Sequence, residues 1–192
     1  MANEIERRAF AMEVRVENGA DMPAKIAGHA IVFDSLSEDL GGFRERVAAG
    51  ALTKTLQSAD IRALFNHDSN IVLGRNKAGT LRLREDLTGL AIEIDPPDTQ
   101  AARDLMVSMK RGDINQMSFG FRTVADKWAK LDGEWIRTLL DVELFDVSPV
   151  TYPAYPATAV AVRGLQDAIK SATPPDENWR IDFMRRRLEL IL

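Results

Sequence analysis

Alternation of apolar and polar residues with a period of two is the feature that most limits what this chain can become. It is clearest at Asn115–Val124, where Met117, Phe119 and Phe121 share one face and Gln116, Ser118, Gly120 and Arg122 the other. Shorter alternating runs stand at Met12–Val16, Leu73–Arg75, Leu81–Arg84 and Leu90–Asp95, the later ones split by Gly79 and Gly89. Lys25–Phe33 is small and apolar, Trp128–Leu140 turns at Leu131–Asp132–Gly133, and Leu139–Val150 is a long β-like run. Helical signals are few. Val47–Ser58 suits a helix, with Leu52 and Leu56 four apart, and Ala157–Lys170 suits a helix or a strand end. Asp95–Thr99 stops a strand with two prolines, and Asp98 or Thr99 can cap a helix over Gln100–Arg111, whose Ala101/Ala102, Leu105 and Met109 give an apolar face. Many short strands with few helices predict an α+β fold, a mostly antiparallel β-barrel with helices packed outside.

The 192 residues suit one domain with a tail. That domain is expected over 1–170. Residues 171–178 (SATPPDEN) read as a linker, and 179–192 as an amphipathic helix with Ile181, Met184, Leu188 and Ile191 at helical spacing around Arg185–Arg187. The expected role of that helix is docking on its own domain or a neighbour's. No run reaches the roughly 18 to 20 apolar residues of a membrane span, and the charged start lacks the apolar run of a signal peptide. The absence of cysteine excludes disulfides, thiolate nucleophiles and cysteine-ligated metals. With only His29 and His67 a histidine-rich metal site is not expected either, and a net charge of −4 argues against nucleic acid as a partner.

The residues able to carry chemistry are therefore few. His67 lies in IRALFNHD, where an apolar segment meets a polar loop; it reads as a loop residue or as a general base, because imidazole exchanges a proton near neutral pH. His29, inside GHAIVF, reads as structural. Ser118 lies on a strand whose other face is apolar, with Gly120 leaving room beside its hydroxyl; it is either a solvated strand serine or a nucleophile on a rigid support. Asp146 sits in the apolar run LFDVSPV and needs a partner, for which an imidazole N–H is one natural choice. Asp141 and Glu143 are the nearby alternatives, and on a regular strand they face away from Asp146. Paired carboxylates at Asp141 and Glu143 would be a different hydrolase.

Five ordered segments together carry a resemblance. They are GHAIVFDS with FRERVAAGAL, then ADIRALFNHDSNIVLGR, GTLRLREDLTGLAIEIDPPDT, GDINQMSFGF, and LLDVELFDVSPVTYPAYPATAV. In these the chain, from about Met12 to Val162, resembles the prohead (procapsid maturation) serine proteases of HK97-type tailed phages. The departures are Asp146 where the family commonly has Glu, Ala49 where Pro precedes Gly50, and Tyr155 where Asn is frequent. The resemblance implies a fold like the herpesvirus assemblins and a serine endopeptidase with no cofactor. It implies His67 as general base, Ser118 as nucleophile, and Asp146 as orienting acid, with Glu143 second. The implied substrates are the major capsid protein, its scaffolding segment and the protease itself, cut inside a procapsid assembling in the bacterial host cytoplasm. The particle would be a phage, a prophage product or a gene-transfer agent. A homodimer or higher oligomer is consistent with it. Residues 171–178 would be an exposed place for self-cleavage. The rival reading is a structural or scaffold protein that kept a related barrel and lost the chemistry.

Overall fold

A computed structural model describes residues 5–10, 14–17, 24–152 and 159–172. Among these residues ten strands and three α-helices follow in the order β1 (Glu6–Phe10), β2 (Val14–Glu17), β3 (Lys25–Val32), β4 (Phe43–Val47), α1 (Thr53–Ser58), β5 (Arg62–Phe65), β6 (Asp68–Arg75), β7 (Leu81–Glu85), β8 (Gly89–Ile94), α2 (Gln100–Arg111), β9 (Gln116–Leu131), β10 (Glu134–Val150) and α3 (Ala159–Ala172). The α+β class stands, mostly strands with few helices.

The expected closed barrel does not form among the described residues. One six-stranded sheet runs β1-β9-β10-β5-β6 with β4 also on β10, and a four-stranded sheet runs β2-β3-β8-β7. The physical reason lies in β10. At 17 residues it is long enough to share one edge between β4, beside Trp135–Leu139, and β5, beside Asp146–Val147. Both pairings are parallel, so they join segments remote in sequence, and no turn signal announces them. The expected helix at Val47–Ser58 is correspondingly shorter: Val47 closes β4, and only Thr53–Ser58 is helical.

The period-two reading of β9 holds in three dimensions. Met117, Phe119 and Phe121 are fully buried and join Val142, Leu144 and Val147 of β10 in one core with Ile26, Leu90 and Ile94 of the second sheet. The Phe119 and Phe121 rings stack at 4.9 Å. Each such burial contributes roughly 1.5–3 kcal/mol, which makes the first half of β9 a rigid support. Helix α2 starts where expected, with Thr99 Oγ1 accepting from the Ala102 N–H, and it buries Ala102, Leu105 and Met109. A second cluster of Leu40, Phe43 and Ala161 takes in Trp128, Trp135 and Leu165, and so docks α3 on the far part of the β9–β10 hairpin. Helix α3 continues to Ala172, through the first two residues of the expected linker. The remainder of that linker and the expected helix at 179–192 lie outside the described residues, as do residues 12 and 13. Among the described residues no helix is long and apolar enough to cross a membrane.

His29 serves the second sheet. From β3 its Nε2 lies 2.9 Å from Asp86 Oδ2, in the turn between β7 and β8, where Asp86 Oδ1 also accepts from the Thr88 and Gly89 N–H groups. The His29 hydrogen bond, followed by the Gly89 N–H, lowers the Asp86 pKa to about 2. A carboxyl held below its unfolded value of about 3.9 stabilises the fold above that pH, and the contribution is lost as pH falls through about 2. Asp86→Asn keeps an oxygen for the turn but cannot ionise. Thermal melts of the variant between pH 4 and 2 are therefore expected to fall less steeply than wild type; parallel curves would contradict this.

Candidate active site

His67 is placed by a two-residue hairpin. Strands β5 and β6 are joined through Asn66 and His67, both with positive φ (52° and 57°), as a type I′ turn requires. Asparagine tolerates that left-handed region; histidine occupies it less often, and such residues concentrate where function requires them. The turn is tied to the end of β10. The Asn66 N–H donates to the Pro149 carbonyl at 3.0 Å, and Asn66 Oδ1 accepts from the Thr151 N–H at 2.9 Å. These bonds hold the imidazole against the first sheet.

Two neighbouring strands supply the groups beneath it. Ser118 of β9 is directly opposite Ser148 of β10, and Gly120 is opposite Asp146, so the four share one face of the sheet. A bulge at Phe145 puts Asp146 on that face: Leu144 pairs with Phe121 and Asp146 with Gly120, leaving Phe145 unmatched. On a regular strand Glu143 and Asp146 face opposite ways; the bulge sets both away from the core. The alternatives are nonetheless engaged elsewhere. Glu143 is paired with Arg122, and Asp141 Oδ2 takes Lys54 Nζ at 2.6 Å.

Three predicted site residues thus come together. His67 Nε2 lies 2.7 Å from Ser118 Oγ, and His67 Nδ1 lies 2.6 Å from Asp146 Oδ1. The residues are 51 and 79 positions apart in sequence. All three are buried, Ser118 completely. The carboxylate is further fixed by Ser148, whose hydroxyl donates to Asp146 Oδ1 at 2.6 Å. Gly120 makes room for it, since a Cβ there would lie 2.2 Å from Asp146 Oδ2. The space beside Ser118 is thus the seat of Asp146.

Ser148 was not among the sequence candidates. The available signal was its position two residues after Asp146, on the same strand face. A hydrogen bond to a charged group contributes about 1.5–3 kcal/mol. Ser148→Ala is therefore expected to lower kcat for any reaction at this site by about tenfold to a hundredfold. An unchanged kcat would show that Asp146 holds its place without the bond.

The other unforeseen neighbour is main chain. Strand β1 pairs antiparallel with β9, Ala9 opposite Ser118, and the Ser118 hydroxyl lies 2.9 Å from the Arg8 carbonyl oxygen. A hydroxyl carries one proton. It can be donated to the Arg8 carbonyl or to His67 Nε2, not to both at once.

The opposite face of β1 is charged and buried. Arg8 Nη2 lies 2.9 Å from Glu6 Oε2 and Arg8 Nε 3.0 Å from Glu45 Oε1, while Arg137 Nη1 bridges Glu6 and Glu45 at 2.8 and 2.9 Å. Burial raises the Glu45 pKa, against the lowering effect of both arginines. Burial acts on Glu6 in the same sense, but the Arg137 hydrogen bond and charge outweigh it and hold that carboxyl below its usual range.

No curated protein sequence matches the chain. The solved structure of the bacteriophage T4 capsid assembly protease, gp21, is similar with a TM-score of 0.56 at 9% identity, over 77% of this chain and 97% of that one. At that identity the likeness concerns the fold. The family model described as caudovirus prohead serine protease matches residues 10–171, which include the His67, Ser118 and Asp146 positions and most of the chain. The chain belongs to the caudovirus prohead serine protease family.

Proposed function

We propose that this chain is a serine endopeptidase that cuts the major capsid protein and its scaffolding segment during procapsid maturation, and that it also cuts itself. The observation that carries the reading is the unbroken hydrogen-bonded order Ser118–His67–Asp146, with 2.7 and 2.6 Å between successive groups. Family membership and the fold shared with a capsid assembly protease support the substrate class. The work would take place inside the procapsid, in the host cytoplasm. An assemblin-like fold and assembly as a dimer or higher oligomer belong to the same proposal.

The chemistry follows from proton affinities. Ser118 Oγ attacks a peptide carbonyl carbon as its proton passes to His67 Nε2. Asp146 holds Nδ1–H, which fixes the tautomer with Nε2 free to accept, and it stabilises the imidazolium that forms. That imidazolium gives its proton to the leaving nitrogen, and water then hydrolyses the ester. No cofactor is required. The paired-carboxylate alternative loses support because Asp141 and Glu143 are each bound to a cation.

The test is co-expression with the major capsid protein precursor of the same particle. The precursor band should shorten with the wild-type chain and stay full length with Ser118→Ala. Shortening in both cases would reduce the chain to a structural relative of the proteases.

A further inference from the structure

Strand β1 is held in a way that suits a ligand better than a permanent strand. It is five residues long and, among the described residues, stands at the end of its sheet with its strand pairing to β9 on one side. Beneath it, two of its side chains meet two charges fixed by the rest of the fold: Arg8 meets Glu45 of β4, and Glu6 meets Arg137 of β10. Each contact joins opposite signs. All four side chains are at most 3% exposed. Burying four charges is a poor way to stabilise a strand, because desolvation offsets most of the attraction and apolar side chains do as well or better. Charges fixed at the floor of a groove do discriminate among occupants, since a residue of the wrong sign meets a like charge there.

The floor is complete without β1. Arg137 is bound by Glu45 at 2.9 Å, by Asp126 at 2.7 Å and by the Thr123 hydroxyl oxygen at 2.9 Å, all on elements other than β1. The groove therefore keeps its charges in place when its occupant leaves. Its occupant also presents a peptide carbonyl to Ser118, that of Arg8.

We propose that an extended substrate segment adds to β9 as β1 does, and that Glu45 and Arg137 make the groove select the pattern Glu-x-Arg, with the cut after the arginine. Arginine takes the place of Arg8 against Glu45, and an acidic residue two positions earlier takes the place of Glu6 against Arg137. Main-chain bonds to β9 supply affinity without regard to sequence, and the two buried charges supply the choice. In the reaction Ser118 Oγ bonds to the arginine carbonyl carbon while its proton moves to His67 Nε2. The carbon–nitrogen bond breaks as that proton passes to the leaving nitrogen, and water releases the arginine carboxylate and restores the hydroxyl. This specificity rests on the peptidase reading above.

The experiment uses the full chain and a mixture of unfolded proteins, with mass-spectrometric mapping of every cut absent from the Ser118→Ala control. Cuts after arginine should exceed those after glutamine at least about tenfold, with Glu or Asp enriched two positions before. In Glu45→Gln the ratio of cuts after arginine to cuts after all other residues should fall about tenfold. Ser118-dependent cuts with no basic preference would overturn the specificity and leave the peptidase reading standing. An undiminished ratio in a folded Glu45→Gln variant would do the same. No Ser118-dependent cut in any protein would overturn both. Should Glu45→Gln fail to fold, the wild-type cut map decides alone.

Discussion

Ser118→Ala and His67→Asn are each expected to lower kcat/KM for capsid-precursor cleavage by about 10⁶-fold, and the double variant by no more than either single one. The two groups act as one unit: a hydroxyl with no base is a weak nucleophile, and a base with no hydroxyl has nothing to activate. Asparagine is the informative replacement at position 67 because it accepts the left-handed backbone of the hairpin, φ 57°, and so removes the imidazole while sparing the turn. Losses that multiply in the double variant would mean that Ser118 and His67 contribute separately, against the shared proton transfer.

The next largest effect is expected at Gly120. A methyl group there would meet Asp146 Oδ2 at 2.2 Å, well inside contact distance. The carboxylate cannot retreat without breaking its bonds from His67 Nδ1 and the Ser148 hydroxyl, both 2.6 Å long. Gly120→Ala should therefore mimic loss of the orienting acid, a fall of about 10⁴-fold in kcat, with circular dichroism close to wild type. Full activity would show that Asp146 need not lie over Gly120 during turnover.

How much of this was legible follows from the range of each signal. The buried faces of β9 and the cap of α2 are local patterns, and Met117, Phe119, Phe121 and Thr99 behave as their spacing implies. The parallel partners of β10 are not local, and a closed barrel is the wrong extrapolation from many short alternating runs. His67, Ser118 and Asp146 could be proposed singly from their settings; only the resemblance joined them. The bulge at Phe145 explains why face-counting along β10 misled. On a regular strand it sets Glu143 and Asp146 on opposite faces, and one unmatched residue cancels that distinction. The charges of β1 lay hidden for another reason. Glu6 and Arg8 look like an exposed polar start, and their burial is evident only beside Glu45 and Arg137, which are 39 and 131 residues from Glu6.

The most direct measurement of the central claim is covalent labelling by a serine-directed phosphonate, added while the protein is processing its capsid precursor so that the site is open to substrate. Peptide mapping should find the adduct on Ser118 in the wild-type chain, with processing arrested in proportion, and almost none in His67→Asn. An adduct on another residue, arrest with Ser118 unmodified, or equal labelling in His67→Asn would contradict a Ser118 hydroxyl activated by His67.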